Sequence, residues 1–418
     1  MDEGLRQIIA LLAIAMTVAI VARRFRLPYT VGLVLVGAAL TFVHVDVGQH
    51  LSHDLIFDLI LPPLLFEAAL AIHWRELRRD LFPILLFSTL GCALATGAVA
   101  AAMTTIMHWP MASALVFGAL IAATDPVAII AMFKDNKMEG RLHLLIETES
   151  LLNDGAAAVL FGLSLEWAQT GGEGWTGLGT AFTLLRVVLG GVAIGALFGG
   201  AAILVAGRIS EHLIEAALTT VVAFGSFLTA EYFHCSGVLA TVMAGLLIGN
   251  LGVSAAGTSA FLTVRGREFI VSFWEFAAFL ANSLVFLLIG VDTAELPFRS
   301  YGIGMLLASA GIVLAGRALT VYPLSLLLSP TRWAITFKEQ NVLWWGGLRG
   351  ALSLALALSL PDTLPLRNDI LVVTFAVVAF SVTVQGLTMP VVLRKLGFLA
   401  NQRRAMIEAE PKAGRSRD

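Results

Sequence analysis

"MASALVFGALIAATDPVAIIAMF", Met111 to Phe133, is long enough to cross a bilayer, yet it carries an aspartate and a proline near its middle. Pro126 has no backbone donor and Asp125 would place a charge in hydrocarbon. Thr124, Asp125 and Pro126 therefore interrupt the span near its middle and make a candidate unwound point, the alternative being an ordinary helix kink. Unwound backbone of that kind is tolerated in a membrane only where it faces protein or a water-filled cavity.

The rest of the chain supports a membrane setting. Of 418 residues, 58% are hydrophobic and 13% charged, which is not a soluble composition. A net charge of −2 gives no sign of a nucleic-acid partner. Cys92 and Cys235 lie in or beside apolar runs without C-x-x-C spacing, so they read as packing residues. Thirteen candidate spans follow: Leu5 to Ala22, Leu27 to Val43, Leu55 to Ile72, Leu81 to Ile106, Met111 to Phe133, Leu144 to Ala168, Trp175 to Ala206, Leu213 to Phe233, Gly237 to Val253, Phe269 to Val291, Tyr301 to Leu328, Val342 to Leu360 and Ile370 to Leu393. The first lacks a basic leading region and runs directly into Arg23, Arg24 and Arg26, so it reads as a span rather than a removable signal.

Charge supports this division. The segments after the odd-numbered spans hold 21 of the 27 basic residues; the opposite segments hold only Arg6, Arg299 and Arg367. The positive-inside rule then places the N-terminus outside and the C-terminus inside, with residues 398–418 as a short cytoplasmic tail. The expected fold is an all-α polytopic membrane protein, with residues 1–397 forming the transmembrane domain. If span seven (about 175–206) is a linker, residues 5–168 and 213–393 form two inverted six-helix repeats, and span five corresponds to span twelve. Span twelve is interrupted too, by Gly346, Gly347, Leu348, Arg349 and Gly350. Two broken helices at matching places in inverted halves point to a transporter binding site.

The intramembrane charges gather at one depth. At 1.5 Å per helical residue, Asp125 lies roughly 12 Å from the inner end of its span, Asp154 roughly 15 Å and Arg317 roughly 16 Å. Ser150 and Asp154 are four residues apart, as are Glu149 and Asn153, so they form neighbouring stripes on one helix side. Arg317 is permanently charged and needs a partner, for which Glu149 is the candidate; Glu149, with Asn153 one turn on, reads as the part that holds the core together through Arg317. Glu67 is either a third site acid or the partner of Arg349. Asp58, Glu231 and Glu275 read as packing or interface residues near span ends, and Arg186 can snorkel to the outer interface. The remaining pair, Asp125 and Asp154, with nearby hydroxyl and amide oxygens, makes a hard-oxygen site suited to an alkali cation or a proton. A carboxylate in a low-dielectric pocket disfavours its bare charged form, and a proton or a small cation relieves that cost. If both compete for Asp154, exchange follows, because an empty charged site crosses poorly.

Four motifs "FEAAL", "TDPVA", "ESLLNDGAAAV" and "GGLRGALSLALAL", with "FLLIGV" and "GRALTV", resemble those of NhaP-type sodium/proton antiporters, bacterial relatives of the sodium/proton exchangers. The resemblance covers most of the chain. It implies a homodimer in the cell inner membrane, each protomer with a dimerisation bundle and a mobile core bundle. It also implies sodium bound at Asp154, Asp125, Ser150 and Thr124, with Glu67 close by and no cofactor. Glu149 and Arg317 would be the core ion pair, Arg349 a basic residue near the broken twelfth helix, and Asn153 the mark of electroneutral one-for-one exchange. A potassium/proton antiporter of the same architecture is the alternative. An enzyme is disfavoured, since G-x-G-D, H-E-x-x-H, G-x-S-x-G and G-K-[ST] are all missing. A channel would use the same acids as a selectivity ring and would show no proton coupling.

Overall fold

The computed structural model describes residues 2–25, 28–42, 51–136, 138, 140–171, 177–208, 211–253, 262–296 and 298–399, and every regular element among them is a helix. The chain opens with α1 (Asp2–Phe25) and α2 (Tyr29–Phe42). A π-helical turn, Leu55–Ile60, leads into α3 (Leu61–Ala71), and the change of pitch falls where Pro62 and Pro63 withdraw their amides from the ladder. Next, α4 (Trp74–Leu85) kinks at Asp80, just ahead of Pro83, and continues through Leu86–Gly91 into α5 (Cys92–Ile106).

The expected break is present. α6 (Met111–Ala122) stops, residues 123–126 are not helical, and α7 (Val127–Asp135) resumes. Three long helices follow: α8 (Arg141–Thr170), α9 (Gly177–Ala206) and α10 (His212–Tyr232). α11 (Gly237–Leu247) continues as Ile248–Val253, and α12 (Val264–Glu295), the short α13 (Phe298–Tyr301) and α14 (Ile303–Leu328) come after it. The second break separates α15 (Phe337–Trp345) from α16 (Ala351–Leu358). α15 starts on a capping box in which Thr336 and Glu339 satisfy each other's backbone amides. α17 (Arg367–Phe380) passes through Ser381–Gln385 into α18 (Gly386–Leu396).

Each candidate span coincides with helix, although α8 and α12 extend further than the apolar run alone. Seven helical stretches among the described residues are long and apolar enough to cross a membrane. Three shorter ones, Ile9–Ala22, Tyr29–Thr41 and Gly237–Val253, are apolar as well. The tail from residue 400 onward lies outside the described residues.

Packing sorts the helices into two groups. α2 packs on α12, α3 on α11 and α12, and α9 and α10 on α11. In the other group α5 packs on α6 and α14, α6 on α8, and α14 and α16 on α17. Lipid offers apolar side chains no less than a neighbouring helix does, so close backbone approach through small residues has to supply much of the attraction. Gly37 and Gly290 show this at the α2–α12 contact, where a Cβ on either would overlap a main-chain carbonyl of the other helix. The periphery is apolar: Phe182, Leu197 and Leu204 on α9 and Leu326 on α14 are about 70% exposed, as a hydrocarbon solvent favours. Cys92 and Cys235 are buried free thiols.

Candidate functional site

The two breaks meet. The Asp125 amide donates to the Leu348 carbonyl at 2.8 Å, joining the first break to the second. The Asp125 carboxylate accepts the Val127 amide at 3.0 Å and also the Ala351 amide, so one side chain caps the start of both α7 and α16. A carboxylate suits that position, where helix N-termini present unpaired amides and partial positive charge. Gly350 is required beside it, since a Cβ there would overlap the Asp125 carboxylate.

The opposite ends of the breaks present orphaned carbonyls, and cationic or amide donors cover them. Arg349 Nη1 donates to Ala122 and Ala123 oxygens at 2.7 and 2.9 Å. Asn153 Nδ2 donates to the Ala122 carbonyl at 3.0 Å and to Thr124 Oγ1 at 3.2 Å, and Ser150 Oγ donates to the Thr124 carbonyl. At the α15 end, Arg317 reaches the Leu343 carbonyl and Gln385 Nε2 donates to the Trp345 carbonyl at 2.9 Å. The Gln385 side chain is held by Ser381 Oγ at 2.6 Å, and Ser381 in turn accepts the Arg349 amide at 3.0 Å. Each broken helix is thus stitched by groups drawn from the other broken helix or from a neighbouring helix.

Arg317 also pairs with Glu149 in a two-pronged bridge, Nη1 to Oε1 and Nη2 to Oε2, both 2.8 Å, and both residues are buried. The pairing expected from sequence is present in its strongest geometry. Three other expectations need correction. Asn153 does not support that pair; it holds the α6 break. Glu67 is not the partner of Arg349, which is occupied by backbone carbonyls, but pairs with Lys134 Nζ at 3.6 Å. Glu275 is not a packing residue, because its exposed side chain lines the cavity.

That cavity, about 1510 Å³, lies along the seam between the two helix groups. α1, α2, α3 and α12 form one wall, and α7, α8, α16 and α18 form the other. It reaches from Lys134, Asn136 and Arg394 to Thr124, Asp125, Ser150 and Asp154. Beyond that level the walls close: Val285 to Val291 on α12 and Leu354 to Ala357 on α16 are buried. At the floor, Asp154 Oδ1, Ser353 Oγ and the Asn282 Oδ1 atom on the opposite wall are buried oxygens without a hydrogen-bond partner. Burying unpaired acceptors is costly, and a small hard cation or a proton is what such a set of oxygens can take. Asp125, by contrast, spends its carboxylate on the two helix starts.

Sequence reading passed over Lys134, Asn282, Ser353 and Gln385. The last three are polar residues inside apolar runs, a signal that was available. Lys134 stands at the polar end of α7 and gives no such signal.

Two broken helices hydrogen-bonded to each other at their breaks, with a half-buried carboxylate where they meet and a cavity leading to it, define a secondary ion transporter. The chain belongs to the sodium/hydrogen exchanger family, whose transmembrane model matches residues 9–395. It is 38% identical to the Na(+)/H(+) antiporter ApNhaP of Aphanothece halophytica, over 99% of this chain and 79% of that protein. It is 36% identical to the Na(+)/H(+) antiporter NhaP of Pseudomonas aeruginosa, over 82% of this chain and 81% of that protein. The solved structure of the sodium proton antiporter MjNhaP1 from Methanocaldococcus jannaschii at pH 8 shares the fold, with a TM-score of 0.74 at 18% identity, covering 95% of this chain and 99% of that one.

Proposed function

We propose that the protein exchanges sodium for protons across the cytoplasmic membrane, with Asp154 carrying either ion in turn. The carrying observation is the half-buried Asp154 carboxylate at the closed end of the cavity, with a buried oxygen, Oδ1, that no neighbouring donor satisfies. A bare carboxylate there is unfavourable, so the site moves with sodium or with a proton and moves poorly when empty. Ser353, Thr124 and Ser150 line the same cavity and carry further oxygens, and Asp125 shapes the site by fixing the two helix starts. The names of the relatives favour sodium over potassium.

Orientation follows from charge. Lys134 and Arg394, at the mouth, belong to the basic side of the chain, so the cavity opens to the cytoplasm and this is the inward-facing state. All thirteen spans cross the membrane in this reading, and the group holding α6, α8 and α16 moves against the group holding α2, α3 and α12. The seam between the groups is the natural sliding surface. Asn153, engaged with the α6 break rather than ionised, leaves one exchangeable acid and supports one-for-one exchange. The apolar outer face of α9 supports a homodimer contact.

The test is sodium-driven pH change in proteoliposomes. Wild-type protein is expected to show it, and Asp154→Asn to lose at least about a hundredfold of the rate, with lithium and potassium run in parallel to rank the cations. Retained exchange in Asp154→Asn rules out the assignment.

A further inference from the structure

Lys134 stands in the wrong place for a residue of no consequence. It lies in the last turn of α7, nine positions along from Asp125, and its ammonium faces the cavity that leads to Asp154. The substrate proposed above is a monovalent cation, and Lys134 is a monovalent cation tethered in its path. It is 3.6 Å from Glu67 on α3, across the seam between the two helix groups. Glu147 on α8 is within electrostatic reach of both. Glu275 on α12 bears on Glu67, His143 sits 3.7 Å from Glu147, and Arg394 of α18 completes the charged lining.

We propose that Lys134 is an affinity-setting residue of the cytoplasmic mouth: its ammonium occupies the acidic vestibule, and an incoming sodium ion must displace it from Glu67 to reach Asp154. This rests on the antiport reading. The arrangement limits cation entry at low cytoplasmic sodium, when the lysine holds the acid, and yields at high sodium, when mass action favours the mobile ion. It also acts on one face only. Glu67 and Lys134 belong to opposite helix groups, so the pair exists while the seam has its present register and parts when the groups slide.

The plain structural alternative is that Lys134 merely complements the C-terminal dipole of α7. The two differ in what Glu67 does to the result. In inverted membrane vesicles, which present the cytoplasmic face, Lys134→Met is expected to lower the half-saturating sodium concentration by about threefold or more at low ionic strength. The shift should shrink when ionic strength is raised with choline chloride, because the ammonium is half exposed and therefore screened. Lys134→Arg should stay near wild type. In a Glu67→Gln background, Lys134→Met should have much less effect, since the coupling has lost its partner. Vesicles of the opposite orientation should show no shift.

An unchanged half-saturation in Lys134→Met, or the same shift with and without Glu67, overturns the proposal. Either outcome is separate from failure of the antiport reading, which would appear as absence of sodium-driven exchange in the wild-type vesicles.

Discussion

Glu149 and Asp154 lie five residues apart on α8, both acidic and both inside the protein, and their surroundings could hardly differ more. Glu149 has both oxygens bound to Arg317 at 2.8 Å, while Asp154 has an oxygen with no donor at all. Asp125 stands with Glu149, since its carboxylate is taken by the amides that begin α7 and α16. The difference teaches that intramembrane charge is not one category. A satisfied acid holds backbone or a partner charge in place, and an unsatisfied one is the group to which the proposed ion exchange is assigned.

The largest expected effect comes from breaking the satisfied side. Arg317→Met leaves Glu149 buried without its cation and strips the Leu343 carbonyl of its cap. That should cost about 3–5 kcal/mol, seen as a collapse of thermal stability in detergent. Glu149→Gln combined with Arg317→Met should recover most of it. Full stability in the single variant would erase the distinction drawn here.

Asp154→Asn should do the reverse. Exchange is lost, yet stability should stay within about 1 kcal/mol of wild type, because no native hydrogen bond to the unpartnered oxygen is removed. A large fall in melting temperature would place Asp154 with the structural acids. Gly350→Ala tests the shared cap: a methyl group at that point must displace the Asp125 carboxylate, costing about 1–3 kcal/mol and lowering exchange with it. Ser150→Ala should be mildest, losing one bond to the Thr124 carbonyl for about 1 kcal/mol, read as a roughly fivefold rise in half-saturating sodium.

The architecture was legible because a bilayer imposes length and charge rules that individual residues obey openly. Pro126 and the Gly346 to Gly350 cluster announce the breaks, and Arg317, which cannot shed its charge, announces that it has a partner. What stayed hidden depends on where backbone goes after it leaves the helix. The partners of Arg349 are carbonyls, which no spacing rule encodes, and the two amides held by Asp125 lie more than two hundred residues apart. Asn153 was assigned to Glu149 because they share a helical stripe, whereas the orphaned carbonyl of Ala122 at the end of α6 made a stronger claim on its amide. Lys134 and Glu67 meet only through the relative placement of α7 and α3.

The bonds from Arg349 to Ala122 and Ala123 also set an order of events during synthesis. The Ala122 and Ala123 carbonyls are made 227 and 226 residues before the guanidinium that covers them. At about 5–20 residues per second, the ribosome needs roughly 10–45 s to deliver it. Through that interval the newborn N-terminal half carries an incomplete seal at its α6 terminus, and only arrival of the second broken helix closes it. The second broken helix is therefore a finishing piece for the first.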